Sequence, residues 1–313
     1  MNRLRALSDS ALAWGTMLSI GLLWGLTIPL SKIAVSTGHQ PFGLIFWQTI
    51  IGVIVLGGVQ LLRGWRPKMT LRLLLFFTVI SFSGTLIPNS TSYLAQQHLP
   101  AGVMAIVIAT VPMFSLALAI LARIETPSIV RASGIILGFS AMVLIAVPDT
   151  SLPDSSKAIF VLVALVAPVC YGFESVFVAL KQPDEVDAVT VLFMASLIGC
   201  IFVFPIALLT GQWIDPLKPW GNAEWALVVS SVIHAAVYCA FIWLVRFAGP
   251  VFSDQAAYPV TISGIMLSMV ILGETYSGWI WFALVLVMCG LALVQPRFSL
   301  PETELAEGET ENG

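Results

Sequence analysis

The sequence predicts an all-α membrane protein with ten transmembrane helices, arranged as two inverted five-helix repeats with N- and C-termini in the cytoplasm. Its composition is the first reason: 58% of the 313 residues are hydrophobic and 10% are charged, whereas a soluble domain carries roughly 25% charged residues. The apolar residues also form blocks of about 20, the length of a helix that crosses the hydrocarbon core of a bilayer. Five such blocks precede a polar connector, "PDTSLPDSSK", and five follow it. An odd number of spans inverts the second half relative to the first.

The predicted spans are residues 11–34, 42–62, 71–96, 101–121, 128–147, 158–180, 187–209, 223–247, 250–272 and 276–294. Helices are predicted because strands of a membrane barrel would alternate in polarity, and these runs do not. The chain then divides into a cytoplasmic N-terminal segment (1–10), a first repeat (11–147), an external linker (148–157), a second repeat (158–294) and a disordered acidic cytoplasmic tail (295–313).

Lysine and arginine residues predict the orientation. With a cytoplasmic N-terminus, eleven of the 14 fall on the inner side: Arg3, Arg5, Arg63, Arg66, Lys68, Arg72, Arg123, Arg131, Lys181, Arg246 and Arg297. Lys32, Lys157 and Lys218 remain outside. This distribution follows the positive-inside rule.

The amino-acid sequences of the two halves also resemble each other. The stretches "TVPMFSLALAILARIETPS" (110–128) and "YPVTISGIMLSMVILGETYS" (258–277) both run from a proline through apolar residues to Glu-Thr and a serine. The stretches "LLWGLT" and "PVCYGFE" share an aromatic-Gly step in the first helix of each half. Inverted repeats with interrupted helices are typical of secondary transporters, whose binding sites lie between the halves near the midplane.

Three stretches carry a family resemblance: "WGLTIPLSK", "PMFSLALAILARIETPS" and "AGPVFSDQAAYPVTISGIMLSMVILGE". They resemble the EamA-type transporters of the drug/metabolite transporter superfamily, over nearly the whole chain except the tail. The resemblance implies ten helices in two inverted repeats and secondary transport of small metabolites, often export. Asp254 departs from the family pattern, because small or uncharged residues are more usual there.

Glu174 is the most informative polar residue, since a carboxylate in the middle of a membrane helix costs about 2.5–3.5 kcal/mol on insertion scales. Two interpretations stay open at this stage. Glu174 pairs with Lys181 two turns away, or it binds a substrate ammonium group or exchanges a proton. Lys32 has two interpretations as well, a lysine that extends to the lipid headgroups or part of an electropositive rim. Glu125 and Glu274, at helix ends, are interpreted as structural caps.

Further candidates are polar or aromatic residues in the middle of spans. His234 and Tyr238 lie one turn apart on one helix face, and a polar stripe (Thr85, Asn89, Ser92, Tyr93, Gln96) follows the third helix. Each of these groups either lines an aqueous path or holds helices together. The predicted substrate-binding set is Trp24, Asn89, Tyr93, Tyr171, Glu174, His234, Tyr238, Gln255 and Tyr258.

Motifs of other protein classes are missing from the sequence. It contains no GxxxxGK[ST] phosphate loop, HExxH motif or GxSxG motif, and its four cysteines lack metal-binding spacing. We therefore expect no enzyme activity, no cofactor or metal, and no nucleic-acid partner.

The predicted function is alternating-access transport of a small polar metabolite, an amino acid or related compound, out of the cell. The predicted location is the bacterial inner membrane, as a multi-pass protein in the lipid bilayer. The alternatives are a permease for nucleotide-sugar-like or drug-like solutes and, less favoured, an intramembrane enzyme or a passive channel. Proton coupling and homodimer formation stay open.

Overall fold

The computed structural model of the protein describes residues 2–64, 69–146 and 155–294, and every regular element within these ranges is helical. The α-helices are α1 (Asn2–Val35), α2 (Pro41–Leu62), α3 (Leu71–Ser81), α4 (Ile87–His98), α5 (Ala101–Ile108), α6 (Val111–Leu121), α7 (Ile129–Ala146), α8 (Ile159–Lys181), α9 (Ala188–Leu209), α10 (Asn222–Ala248), α11 (Pro250–Ser253), α12 (Ala257–Leu272) and α13 (Gly278–Val294). Three short pieces complete them: a π-helical turn at Phe82–Leu86 and 3₁₀ turns at Ser155–Ala158 and Asp254–Ala256. The all-helical prediction is confirmed.

The apolar segments predicted from the sequence all fall on these helices. Within the described residues, nine helical stretches are long and apolar enough to span a bilayer, and α13 is a further apolar helix of 17 residues. The helix α1 begins at Asn2, so helical structure continues through the predicted N-terminal segment. Most of the predicted linker and all of the predicted tail lie outside the described residues.

Helix packing relates the two halves to each other. Helix α1 packs against α10 and α12 of the second half, and α8 packs against α4 and α6 of the first half. The remaining large contacts between the halves join α2 to α9, α5 to α12 and α7 to α13. If each helix is replaced by its counterpart in the other half, every one of these contacts becomes either another contact of the same group or the same contact again. This is the packing expected of an internal repeat.

Glycines allow the closest of these approaches. A β-carbon on Gly25 in α1 would lie 2.9 Å from the backbone nitrogen of Gly264 and would collide with Ser263. A β-carbon on Gly172 in α8 would lie 2.7 Å from the backbone nitrogen of Ser115. The glycines of the two aromatic-Gly steps therefore play the same packing role in the two halves, as small residues commonly do between membrane helices.

Helices α7 and α13 meet at a second pair of glycines. A β-carbon on Gly134 would lie 2.6 Å from the carbonyl oxygen of Gly290, and one on Gly290 would lie 2.7 Å from the carbonyl oxygen of Gly134. The contact is reciprocal, with each backbone filling the space that a side chain would take on the other helix. It fixes the distance between the last helices of the two halves.

Three of the spans in the described residues are interrupted, two near their middle and one near its start. The π-helical turn Phe82–Leu86 separates α3 from α4, a break at 109–110 separates α5 from α6, and the 3₁₀ turn Asp254–Ala256 separates α11 from α12. Pro112 and Pro259, which lack a backbone N–H, follow two of these breaks. Such interruptions often occur at functional sites, because they change the direction in which nearby side chains point.

Two ends of the bundle can be distinguished by their polar contacts. At the end where α1 terminates, here called the Lys32 end, Lys32 Nζ donates to the carbonyl oxygens of Gln96, at 2.5 Å, and Leu99, at 2.8 Å. The ammonium group thus caps the C-terminus of α4, where carbonyl groups lack partners and the helix dipole favours a cation. This role differs from both interpretations drawn from the sequence.

Glu274 also lies at the Lys32 end. Its carboxylate accepts hydrogen bonds from the backbone N–H groups of Ala101, at 2.9 Å, and Gly102, at 3.2 Å, and from the hydroxyl of Tyr276, at 2.6 Å. The prediction that Glu274 is a helix cap is confirmed.

The opposite end, here called the Lys181 end, contains ion pairs between loop and helix residues. Arg63 contacts Asp187 at 2.8 Å, and Arg246 contacts Asp184 at 2.5 Å. The C-terminal ends of α2, α8 and α10, which are even-numbered spans in the prediction, thus lie at the same end of the bundle.

Candidate functional site

A cavity lies between the two halves of the protein. Its volume open to the centre of a water molecule is about 140 Å³, many times what one water needs. Both halves contribute to its wall, through α1, α2, α4, α5, α6, α8, α10 and the segment from 253 to 260. A small organic molecule could therefore contact both repeats at once.

The first feature of the wall is a buried carboxyl–phenol pair. The hydroxyl of Tyr238 in α10 donates a hydrogen bond to Glu174 in α8, and both side chains are about 1% exposed. Gly84, in the π-helical turn, lies against this pair, since a β-carbon there would collide with Tyr238 Oη and the Glu174 carboxylate. The turn thus brings a bare backbone beside the functional groups of two other helices.

Glu174 does not use Lys181 as its partner. Lys181 is exposed at the C-terminal end of α8, and no ion pair between the two was found within the described residues. The carboxyl group instead faces the cavity. The pairing interpretation drawn from the sequence is therefore not supported by the geometry.

An aromatic group forms the neighbouring part of the wall. The indole N–H of Trp24 donates to Nδ1 of His234 at 3.1 Å. The ring of Trp24 also packs edge-on against Phe241, with a centroid distance of 5.4 Å. Because Nδ1 accepts this bond, a neutral His234 ring carries its proton on Nε2. Trp24 is thus both a cavity wall and a helix contact.

An amide–phenol network forms a further part of the wall. Gln48 Oε1 accepts from Asn89 Nδ2 at 3.0 Å and from the hydroxyl of Tyr93 at 2.9 Å. The hydroxyl of Tyr171 donates to Asn89 Oδ1 at 3.1 Å. The four side chains come from α2, α4 and α8, so the network joins both halves. It also mirrors the Trp24–His234 bond, because Trp24 and Tyr171 belong to the paired aromatic-Gly steps.

A second carboxyl group, Asp254, lies on the segment between α11 and α12. Its Oδ2 accepts from the hydroxyl of Ser175 at 2.9 Å, and Ser175 lies 3.1 Å from the hydroxyl of Ser115. Its Oδ1 is buried without a hydrogen-bond partner among the described residues. Asp254 is 2% exposed and lines the cavity.

Seven of the nine predicted binding residues line this cavity: Trp24, Asn89, Tyr93, Tyr171, Glu174, His234 and Tyr238. Gln255 and Tyr258 are not among the described residues that line the cavity. Gln255 Nε2 donates to the carbonyl of Val251 at 3.4 Å within its own segment, and Tyr258 packs against a hydrophobic core cluster. The 3₁₀ turn Asp254–Ala256 changes the helical phase here and presents Asp254 and Ala257 to the cavity instead.

Gln48 and Asp254 were not in the predicted binding set. Gln48 is a single amide within the apolar stretch "FWQTII", which is a weak signal but a detectable one, because polar groups in membrane helices need partners. The sequence analysis noted Asp254 only as a departure from the family pattern. The insertion cost that drew attention to Glu174 applies to Asp254 as well and could have identified it.

Comparison with known proteins was consistent with these features. The chain matches the EamA-like transporter family over residues 12–147 and again over 158–295. It is 24% identical to the uncharacterized inner membrane transporter YedA of Escherichia coli K12 over 286 residues, which is 90% of each chain. It is 25% identical to the uncharacterized transporter YvbV of Bacillus subtilis over 284 residues, 88% of this chain and 89% of YvbV.

A solved crystal structure shares the fold. It superposes with a TM-score of 0.66 at 17% identity, covering 90% of this chain and 96% of its own. The family match spans most of the sequence in two copies, on a helical bundle with apolar spans. This multi-pass membrane protein belongs to the EamA-like transporter family.

Proposed function

We propose that the protein is a secondary transporter that moves a small polar metabolite, an amino acid or related compound, out of the cell by alternating access. The observation that carries the proposal is the cavity between the halves, whose wall combines carboxyl, amide and phenol groups with aromatic rings. Secondary transporters built from inverted repeats bind substrate at such a place, beside interrupted helices. The volume of the cavity fits a solute of amino-acid size better than a nucleotide sugar.

The cavity has buried lining residues toward both ends of the bundle. Lining residues extend from Glu174 to Ser31 and Gln96 toward the Lys32 end, while Tyr238 and Phe241 are packed on the side of the Lys181 end. In the proposed cycle, rearrangement of the paired contacts between the halves would open the cavity to one end of the bundle at a time. The interrupted spans supply positions at which such a change can occur.

The proposal includes an orientation and a location. Both termini lie in the cytoplasm, residues 11–147 and 158–294 form the two repeats, and 148–157 is an external linker. The Lys32 end is then external. The bias of lysine and arginine supports this orientation, and the printed name of YedA supports the bacterial inner membrane.

Glu174, Trp24 and His234 are proposed as substrate contacts. Glu174 would accept an ammonium group or exchange a proton, since its carboxyl group faces the cavity with Tyr238 as its hydrogen-bond donor. Trp24 and His234 would contact the carbon skeleton. Asn89, Tyr93 and Tyr171 would hold the wall of the cavity through their network with Gln48.

The purified protein in proteoliposomes provides the test. Vesicles loaded with one solute from a panel of amino acids, amines, sugars and nucleotide sugars are placed in the same radiolabelled solute. We expect saturable counterflow for a small amino compound. Counterflow of none of these solutes, by protein that remains monodisperse, would contradict the proposed function.

A further inference from the structure

Asp254 is a buried side chain that the proposed substrate contacts do not use. One of its oxygens accepts from Ser175, the other is buried without a hydrogen-bond partner among the described residues, and the residue lines the cavity. Gln96 Oε1, which belongs to another lining residue, is buried in the same unpartnered state. Buried acceptors without donors are costly, so a ligand that supplies hydrogen-bond donors would stabilise this wall.

Several hydrogen-bond donors around the cavity are occupied by other parts of the wall. The N–H of Trp24 and the hydroxyls of Tyr93 and Tyr238 donate to other wall residues. Four aliphatic hydroxyls donate to carbonyl groups of their own segments: Thr27, Ser31, Ser230 and Ser253. These seven donors are therefore already engaged and are not available to a bound ligand.

The charged groups of the wall also favour a cationic ligand over an anionic one. Its described lining residues include two carboxyl groups, Glu174 and Asp254, and no lysine or arginine. His234 accepts a hydrogen bond at Nδ1, which leaves a neutral ring with one N–H. A carboxylate on a bound solute would therefore enter an acidic, low-dielectric site without a cation to offset its desolvation.

The two carboxyl groups share one side of the cavity. Ser175 follows Glu174 in α8 and donates to Asp254, which places Asp254 beside the same turn of that helix. The rings of Trp24 and Phe241 line the cavity near Tyr238. Aromatic faces attract organic cations most strongly where water is excluded.

We propose that the cavity selects solutes with an ammonium group and no carboxylate, and that Asp254 acts with Glu174 as the anionic anchor for that group. The substrate class is thus a small amphiphilic amine, a decarboxylated relative of an amino acid. This inference rests on the proposed transport function and narrows its substrate. An ammonium ion supplies up to three donors, which match the unpartnered acceptor on Asp254 and the free capacity of Glu174.

Matched ligand pairs test the selection directly. Phenethylamine and phenylalanine differ only in the carboxylate, and cadaverine and lysine form a second pair. Binding is measured by isothermal titration calorimetry on the intact purified protein in detergent. We expect each amine to bind at least about tenfold more tightly than its amino acid, the factor that about 1.4 kcal/mol gives. Equal binding, tighter binding of the amino acid, or no binding of either amine would overturn the proposal.

Variants identify the anchor. Asp254→Asn keeps the size of the side chain and removes its charge, and we expect it to weaken amine binding by about tenfold or more. Glu185→Gln, at an exposed loop position, is the matched control and should bind amines like the wild type. Unchanged amine affinity in Asp254→Asn with wild-type thermal stability would overturn the role of Asp254.

If Asp254→Asn fails to fold, Ser175→Ala is the substitute. It removes the hydroxyl donor to Asp254 Oδ2 and keeps both carboxyls, so amine binding should stay at least as tight, and weaker binding than wild type would count against the anchor.

The binding assay and the transport assay separate the two proposals. Amine-selective binding without counterflow would contradict the proposed transport function and would still support the proposed amine-binding site. Counterflow of amino acids in preference to amines would support transport and overturn the amine selection.

Discussion

Trp24 of the first helix in the chain donates its indole N–H to Nδ1 of His234, 210 residues later, at 3.1 Å. Tyr171, the aromatic residue at the corresponding step of the second half, donates in turn to Asn89 in the first half at 3.1 Å. Each half therefore extends an aromatic hydrogen-bond donor across the cavity to the other half. Both bonds join the halves, so both would have to change if the halves move relative to each other in the proposed transport cycle.

Topology is the first prediction. A reporter fused after Gln212 should be external, whereas fusions after Arg66 and at Gly313 should be cytoplasmic. The reason is the alternation of spans together with the excess of inner lysine and arginine residues. Paired alkaline phosphatase and fluorescent protein fusions measure it. A cytoplasmic signal at Gln212 would require a different number of spans before that residue.

Water access separates the cavity from the lipid face. Ser92 lines the cavity and is partly buried, whereas Ser140 is exposed on α7, on the outside of the bundle. In a background without native cysteines, Ser92→Cys should react with a charged, membrane-impermeant thiol reagent. Ser140→Cys should be inert despite its greater exposure, because its surroundings are hydrocarbon and the reactive thiolate does not form there.

The same assay reports on ligand binding. A bound solute should slow the modification of Ser92→Cys, and of His234→Cys and Tyr238→Cys if these retain transport. Complete inertness of Ser92→Cys, with normal transport, would show that water does not enter the cavity from the Lys32 end.

Gly84 tests the packing of the carboxyl–phenol pair. Alanine favours helices over glycine by about 1 kcal/mol, but a β-carbon at Gly84 would collide with Tyr238 and Glu174. We expect Gly84→Ala to reach the membrane at normal levels and to lose most of its transport. Gly58→Ala is the control, since a β-carbon there meets no atom within 4 Å. Equal transport by the two variants would show that the pair tolerates displacement.

The glycine contact between α7 and α13 should matter for stability rather than for transport chemistry. A β-carbon on Gly290 would lie 2.7 Å from the carbonyl oxygen of Gly134, and overpacking of this kind costs roughly 1–3 kcal/mol. Gly290→Ala should therefore lower the melting temperature of the detergent-solubilised protein, measured by intrinsic fluorescence, relative to Gly58→Ala. An unchanged melting temperature would mean that the two helices separate without cost.

The sequence predicted much of this arrangement, and its failures have a physical cause. The insertion cost of charges in lipid drew attention to Glu174, and the aromatic-Gly steps matched Trp24 with Tyr171 as corresponding residues of the two halves. Gln255 and Tyr258 were assigned to the cavity on the assumption of a regular helix. The 3₁₀ turn that begins at Asp254 changes the phase by a fraction of a turn, and a sequence pattern does not reveal in which direction.

Glu174 provides the last prediction, because a glutamine in its place separates charge from shape. Glu174→Gln keeps the volume of the side chain and a carbonyl oxygen that can accept the hydrogen bond from Tyr238. The buried contacts with Gly84 should persist, so the protein should fold and reach the membrane at wild-type levels. Transport of the bound cation should nevertheless be lost, since a neutral amide cannot balance an ammonium group or exchange a proton. Glu185→Gln, which makes the same change at an exposed position, should transport normally. Initial rates in proteoliposomes at acid and neutral pH provide the measurement. Wild-type rates at both pH values in Glu174→Gln would show that the charge at this position plays no part in transport.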